Sequence, residues 1–255
     1  MSDTDKLSAS LPPADITSGT RLVATLGLVT TLCGALIVAV WQITLPAIAA
    51  NKKIVLERAV RALVPDAANI IDFDATPLGI HRASGDPAPG TVRFHVAYDA
   101  QGELQAIAAE GSARGYTDAV RVLYGYHPEC ECIFGMRVIQ MKETPGIGDN
   151  VATDPDFLAN FYSLDLSLAD DRQGLAHAVR GVKHGTKRFA WEIDAISGAT
   201  ITSKAIGRGI NDSAQKLLPQ LLPQLEKIRV EGRKEKGKNP GTELPPPSSN
   251  AGGHT

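Results

Sequence analysis

The sequence predicts an α+β protein, with one membrane-spanning helix near the N-terminus and then a domain of antiparallel sheet surrounded by helices. Three observations carry that expectation. Leu22 to Leu45 is apolar without a single charge. From about residue 91 to 141, apolar and polar residues alternate between turn signals. After Thr202, Ala205, Ile206, Ile210, Ala214 and Leu217 recur at helical spacing.

In chain order, residues 1–20 are polar, with Ser, Thr, Asp and two prolines, and are expected to form a flexible leader. Residues 21–46 form the anchor. Its uncharged run covers roughly 36 Å as a helix, against a hydrocarbon core of about 30 Å. Trp41 suits an interfacial position, and Pro46 is expected to stop the helix. "AIA" at 47–49 resembles a signal cleavage site. The apolar run, however, exceeds a signal core of about 7–15 residues and follows a polar leader, so an uncleaved anchor is favoured. Lys52, Lys53, Arg58 and Arg61 follow the span, against Lys6 and Arg21 before it. Counted alone, they place the large domain in the cytoplasm.

Residues 47–90 read as a helical stalk and connection, with Ile54, Val55, Ala59, Val60 and Leu63 on one face and Pro65 as the stop. Residues 91–225 are the main domain. Val92, Phe94, Val96 and Tyr98 alternate with Arg93, His95 and Ala97. "DAQG" then turns the chain into "ELQAIAAEG", a hairpin signal. "VRVLYGY" and "CIFGMRVIQMK" repeat the pattern around "HPEC". His95 is read as an outward-facing strand residue. Helices are expected around "DPDFLANFYS" and after Ser203, with Pro219 and Pro223 blocking continuation. Residues 226–255, polar and rich in Pro and Gly, read as a disordered tail.

A hydrophobic content of 43% and a net charge of −2 are ordinary for a globular chain and give no basic face for nucleic acid. Three cysteines are too few for a disulfide scaffold. Cys33 reads as a small buried hydrophobe. Cys130 and Cys132 in "HPECEC" read as loop thiols without a catalytic role, an oxidised pair being favoured only if the domain lies outside the cytoplasm. His81, His127, His177, His184 and His254 form no ligand spacing, so no metal site is predicted, and no catalytic residue.

The densest chemistry is "DAISGATITS" at 194–203, where Ser197, Thr200, Thr202 and Ser203 surround Gly198 and Ala199 at the entrance to a helix. A helix N-terminus presents unpaired N–H groups to an anion such as phosphate. Gly198 permits close backbone approach, and Lys204 adds charge. A plain Ser cap on the helix is an equal alternative on this physics.

"DAISGATITS" resembles the Asp-x-x-(Ser/Thr)-Gly-Ala-Thr sequence recognised by a dedicated flavin transferase, which esterifies the last Thr with the phosphate of FMN. "ETPGIGD" at 143–149 resembles the Glu-Thr-Pro-Gly-(Leu/Ile)-Gly turn of the same flavin-binding domains. An anchor ending in "LPAIAANKK" resembles the start of the FMN-bearing G subunit of Rnf complexes. These marks cover most of residues 20–217 in the family's order, and the chain is identified as resembling that family.

The resemblance implies an extracytoplasmic FMN-binding domain on a single-pass anchor in the bacterial inner membrane, with the large domain on the periplasmic side. It implies covalent FMN on Thr200, with Asp194, Ser197, Gly198 and Ala199 as transferase recognition positions. Thr202 and Ser203 are placed near the phosphate. Glu143, Thr144, Pro145, Gly146 and Ile147 are placed against the isoalloxazine ring. The implied partners are the other Rnf subunits, the flavin transferase and membrane lipid. The implied role is that of an electron-transfer component of an ion-translocating ferredoxin:NAD oxidoreductase. Rival readings are the FMN subunit of a sodium-pumping NADH:quinone oxidoreductase, a membrane scaffold or sensor never flavinylated, and a binding protein released by cleavage after Ala49.

Overall fold

The computed structural model describes residues 19–76, 79–85 and 90–238, so most of the leader and the end of the tail lie outside the described residues. The first element is α1 (Gly19–Leu63), which contains the window apolar enough to cross a membrane, at a mean hydropathy of 2.3. Pro46 does not stop it, contrary to expectation. A proline costs one N–H and displaces one carbonyl. The turns that follow, residues 47–53, are rich in Ala and Lys, which restart the ladder at once. The helix ends two residues before Pro65.

Within the apolar stretch, Thr25, Thr30 and Thr44 donate their hydroxyls to carbonyls four residues back, at 2.9, 2.9 and 3.0 Å. Those polar groups are therefore satisfied without water. Cys33, expected to be buried, is exposed, because this apolar window has no buried side chains at all.

A second compact unit begins at Val55. Seven strands build its main sheet: β1 (Asn69–Thr76), β2 (Gly79–Arg82), β3 (Val92–Tyr98), β4 (Leu104–Arg114), β5 (Ala119–His127), β6 (Cys132–Gln140) and β7 (Leu164–Asp165). All neighbours run antiparallel, in the order β2-β1-β3-β4-β5-β6-β7. The β3–β4 and β5–β6 hairpins are those read from the alternation. β8 (Arg180–Val182) and β9 (Glu192–Asp194) form a separate parallel pair. The helices are α2 (Pro155–Ala159), α3 (Thr200–Leu221) and α4 (Leu225–Lys238).

The sheet is covered on both faces, which alternation alone does not convey. On one face Phe94, Val96, Ile107, Val122, Tyr124 and Met136 join Ile206, Ile210, Ala214, Leu217 and Leu218 of α3 in the core. On the other, Ala97, Ala106, Ala108 and Leu123 pack under Val60, Leu63 and Val64, at the end of α1 and just beyond it. His95 therefore does not face solvent. It is 2% exposed, with Nδ1 2.7 Å from Asp72 Oδ1 on β1, because the face it points to is roofed by helix.

α3 lies on β4 at backbone distance. A Cβ on Gly209 would come 2.9 Å from the Ser112 nitrogen and 3.0 Å from its carbonyl carbon, so only glycine fits there. The helix passes Pro219, which forgoes one N–H bond, to the carbonyl of exposed Gln215, where water takes its place. Pro223 falls at the start of a short 3₁₀ turn, where no N–H is needed. The expected tail is thus helical over Leu225–Lys238. Tyr98 donates its hydroxyl to the Ile228 carbonyl at 2.8 Å, tying α4 to the sheet. The connection expected over 47–90 likewise contributes β1 and β2 to that sheet.

Cys130 and Cys132 are joined in a disulfide across the β5–β6 turn, correcting the reading as loop thiols. Glu131 between them adopts φ 49°, in the left-handed region.

Candidate functional site

The hydroxyl-rich loop and the 143–148 turn, distant in sequence, form opposite walls of one cavity of about 540 Å³. Its lining is Tyr116, Glu143, Thr144, Ile147 and Gly148 on one side, and Gly198, Ala199, Thr200, Ile201 and Thr202 on the other. That volume is within the usual range for a small-molecule site, about 300–1,000 Å³.

The second wall is the first turn of α3, which starts at Thr200, earlier than its apolar spacing suggests. Ala199 occupies the cap position, and no side chain caps the helix. The alternative in which the hydroxyls exist to cap α3 is therefore not what the chain does. Its leading N–H groups and the positive end of its dipole lack a side-chain acceptor, the arrangement that receives an anion. Gly198 has φ +87°, and a Cβ there would meet only Ile147 at 3.9 Å. Its glycine is required by backbone conformation, not by crowding.

The four hydroxyls do different things. Ser203 is fully buried; its Oγ donates to the Ala199 carbonyl at 3.0 Å and accepts the Ile196 N–H at 3.2 Å, bracing the loop from inside. Thr202 is 2% exposed yet contributes to the lining. Thr200 is half-buried, with its Oγ1 3.4 Å from the Ile196 carbonyl, a bond weak enough to give up. Ser197 is exposed and lies outside the lining.

On the facing wall, Glu143 accepts the N–H groups of Tyr116 and Thr117 at 3.0 and 3.3 Å. Its carboxylate thus fixes the β4–β5 turn against its own loop. The Thr144 carbonyl accepts from Ile147 and Gly148 at 3.2 and 3.0 Å, closing the turn. Pro145 and Gly146 shape that turn without lining the cavity. Tyr116, Ile147 and Ile201 are 69%, 51% and 51% exposed and give the mouth an apolar rim. Tyr116 escapes a reading of the sequence, since one aromatic in a turn carries no signal of its own.

Asp194 does not point into the cavity lining. Its Oδ1 accepts the Gly185 N–H at 2.8 Å, and His184 Nδ1 lies 3.5 Å from Oδ2. Behind it, Asn160 Oδ1 accepts the Asp194 N–H at 2.9 Å and Lys187 Nζ at 3.0 Å. Partial burial holds the Lys187 ammonium below the usual lysine pKa, outweighing the attraction of Asp194 and Glu192. Glu192 sits below the usual carboxylate range because it accepts the Arg188 N–H and pairs with the Arg180 guanidinium.

An open anion-receptive helix end, a half-buried hydroxyl beside it and an apolar-rimmed cavity of this size are compatible in chemistry and volume with an FMN. Residues 115–215 match the family model of the FMN-binding domain. The G subunit of an ion-translocating oxidoreductase complex from Shewanella piezotolerans is 30% identical over 204 residues, spanning 76% of this chain and 90% of that one. A protein of the same name from Methanosarcina acetivorans is 26% identical over 187 residues, 73% of this chain and 88% of its own. Among solved structures, Shewanella oneidensis NqrC aligns at TM-score 0.45 and 23% identity over 66% of this chain and 74% of that one.

Proposed function

The chain belongs to the G-subunit family of ion-translocating oxidoreductase (Rnf) complexes, and we propose that it carries FMN as a phosphoester on Thr200. It is an FMN-domain electron-transfer component of such a complex, and an oxidoreductase subunit in that sense. The observation that carries the proposal is the Thr200 hydroxyl in the cavity wall, at a helix N-terminus that no side chain caps.

FMN supplies one- and two-electron transfer. This chain's residues hold and orient it. The first N–H groups of α3 receive the phosphate, with Thr202 beside them. Gly198 keeps the loop in the one conformation that presents Thr200. Thr144, Ile147 and Tyr116 receive the ring, while Glu143 keeps their two turns together. Thr200 is a tether and takes no part in turnover. Its esterification would need an activated flavin phosphate, and flavin adenine dinucleotide, with its phosphoanhydride, is a donor of that class. In that step Thr200 Oγ would bond to the flavin-side phosphorus as the bond from that phosphorus to AMP breaks, with AMP as the leaving group and the hydroxyl proton passing to water.

The domain sits on the periplasmic side of a bacterial inner membrane, held by the anchor within α1, and works with the other subunits, which couple electron flow to ion movement. The Cys130–Cys132 disulfide supports that side, because such bonds persist in oxidising compartments. It weighs against the count of Lys and Arg around the span, which favours the cytoplasm. Neighbouring helices of a complex constrain orientation more strongly than a handful of charges.

The test is tandem mass spectrometry of the tryptic peptide Phe189–Lys204 from protein expressed beside a flavin transferase. Flavin phosphate on Thr200, absent from Thr200→Ala, is the expected result. A bare wild-type peptide with an active transferase present would remove the tether and leave the scaffold reading in its place.

A further inference from the structure

We propose that Asn160 is the positioning residue for flavin attachment: its side-chain amide latches α2, which follows the first wall of the cavity, to Asp194, which leads into the second, and thereby presents Thr200 to the transferase. The inference rests on Thr200 being the tether. No sequence motif marks Asn160; its surroundings do.

Asn160 is 7% exposed and forms the C-cap of α2. Its amide is used on both sides. Oδ1 accepts from the Asp194 N–H at 2.9 Å and from Lys187 Nζ at 3.0 Å. Nδ2 donates to the Phe157 carbonyl at 3.0 Å, the Asp156 carbonyl at 3.3 Å and the Asp194 carbonyl at 3.4 Å. One side chain therefore grips both the N–H and the C=O of Asp194, as a neighbouring strand would. An amide offers two donors and two acceptor sites, and all are engaged here.

The position of this grip in the chain gives it its consequence. The turn that forms the first wall runs directly into a 3₁₀ turn at Gly148–Ala152 and then into α2. α2 is itself fixed, because Asp154 accepts the Phe157 N–H at 2.8 Å. Asn160 thus ends the segment that began as the first wall, and it holds the residue that leads into the second. From Asp194 the hold passes on through further bonds. Ala195 N–H donates to the Val182 carbonyl at 3.1 Å. The Ile196 carbonyl accepts the Ala199 N–H at 3.1 Å and lies 3.4 Å from Thr200 Oγ1. Asp194, the first residue of the recognition sequence, therefore acts in this fold through its backbone and through the Gly185 N–H, as part of a shaped loop.

The latch adds no group to the esterification, in which flavin adenine dinucleotide is the donor and AMP the leaving group. It keeps the loop in the competent shape, so losing it lowers the competent fraction and raises the apparent KM for the protein substrate while kcat is kept.

The experiment labels full-length protein in detergent with a flavin transferase and flavin adenine dinucleotide. Initial rates are read by flavin fluorescence and attachment by mass spectrometry, against protein concentration. Wild type, Asn160→Leu and the synthetic peptide of residues 189–204 are compared, with the folded fraction of each protein measured by circular dichroism. The expected result for folded Asn160→Leu is a KM raised roughly tenfold or more with kcat within about twofold. The peptide is expected to behave at least as poorly. Labelling of folded Asn160→Leu at the wild-type KM would overturn the latch while leaving the tether intact. Should Asn160→Leu not fold, Asn160→Ser, which also removes the amide, is read by the same criteria, and a peptide labelled as efficiently as the whole chain overturns the latch. An unlabelled wild type would overturn the tether, and the latch with it.

Discussion

Gly209→Ala tests how closely α3 lies on the sheet. The added methyl would stand 2.9 Å from the Ser112 nitrogen, 3.0 Å from the Ser112 carbonyl carbon and 3.2 Å from the Ala113 nitrogen. All three are backbone atoms of β4, so no rotamer relieves the contact. Overpacking of this kind costs roughly 1–3 kcal/mol, and rigid backbone on the other side argues for the upper end, about 3. Alanine's better helix propensity returns about 1 kcal/mol. The net expectation is a loss of about 2 kcal/mol, or a Tm lowered by roughly 4–8 °C for a unit of this size. The assay is thermal unfolding of the full chain in detergent, with Arg208→Ala as control. Arg208 is exposed and loses only its bond to the Arg114 carbonyl, so its change should stay within about 0.5 kcal/mol. Gly209→Ala at or above wild-type stability would mean that α3 does not approach β4 this closely, and the placing of the cavity walls would fall with it.

Three further outcomes are expected. Glu143→Ala removes the acceptor of the Tyr116 and Thr117 N–H groups and should cost about 2 kcal/mol in urea unfolding. Glu143→Gln keeps the accepting oxygen and should cost less than about 1 kcal/mol; equal losses would show that charge, not the bond, is what matters. Alkylation under denaturing, non-reducing conditions should modify one of the three cysteines, Cys33, and all three after reduction; three modified beforehand would withdraw the disulfide's support for periplasmic placement. Because Glu192 has its pKa lowered in the fold by the Arg188 N–H and Arg180, its contribution is complete above the unfolded value of about 4.3 and is lost as pH falls through the folded one. Glu192→Gln should therefore flatten the acid limb of a stability–pH curve below that point and leave neutral pH nearly unchanged in slope; an unaltered limb would assign the acid loss to other carboxylates.

The parts of this fold legible in the sequence are those where a residue's neighbours along the chain are also its neighbours in space. The β3–β4 and β5–β6 hairpins, the apolar span and the helix after the hydroxyl loop are of that kind. β1 and β2 escape because their pattern follows a helix and resembles a connection until a partner strand is supplied. His95 is misplaced for a related reason: alternation tells which residues share a face, and only the tertiary fold tells whether that face is roofed. The prolines at 46 and 219 mislead because each removes one N–H bond, a local cost that the rest of a long helix can absorb. At the site, Thr200 and the 143–148 turn are legible as motifs, whereas Tyr116, Asn160 and Lys187 are brought there by the fold alone. Ser203 shows the limit from the other side. Position places it near a phosphate, but its hydroxyl is spent inside the loop.

A tether at Thr200 would have its mobility set by the helix that carries it. Thr200 opens a 22-residue helix in which Thr202 and Ser203 are already sealed from solvent, and whose buried stripe runs on to Leu221. A cofactor fixed there would not be a swinging arm that ferries charge between stations. Its reach is the length of one threonine side chain and a phosphate, a few ångströms around a nearly stationary root. Electrons can then travel only as far as tunnelling allows from that spot, so any redox neighbour has to be delivered to the cavity mouth by the assembly itself.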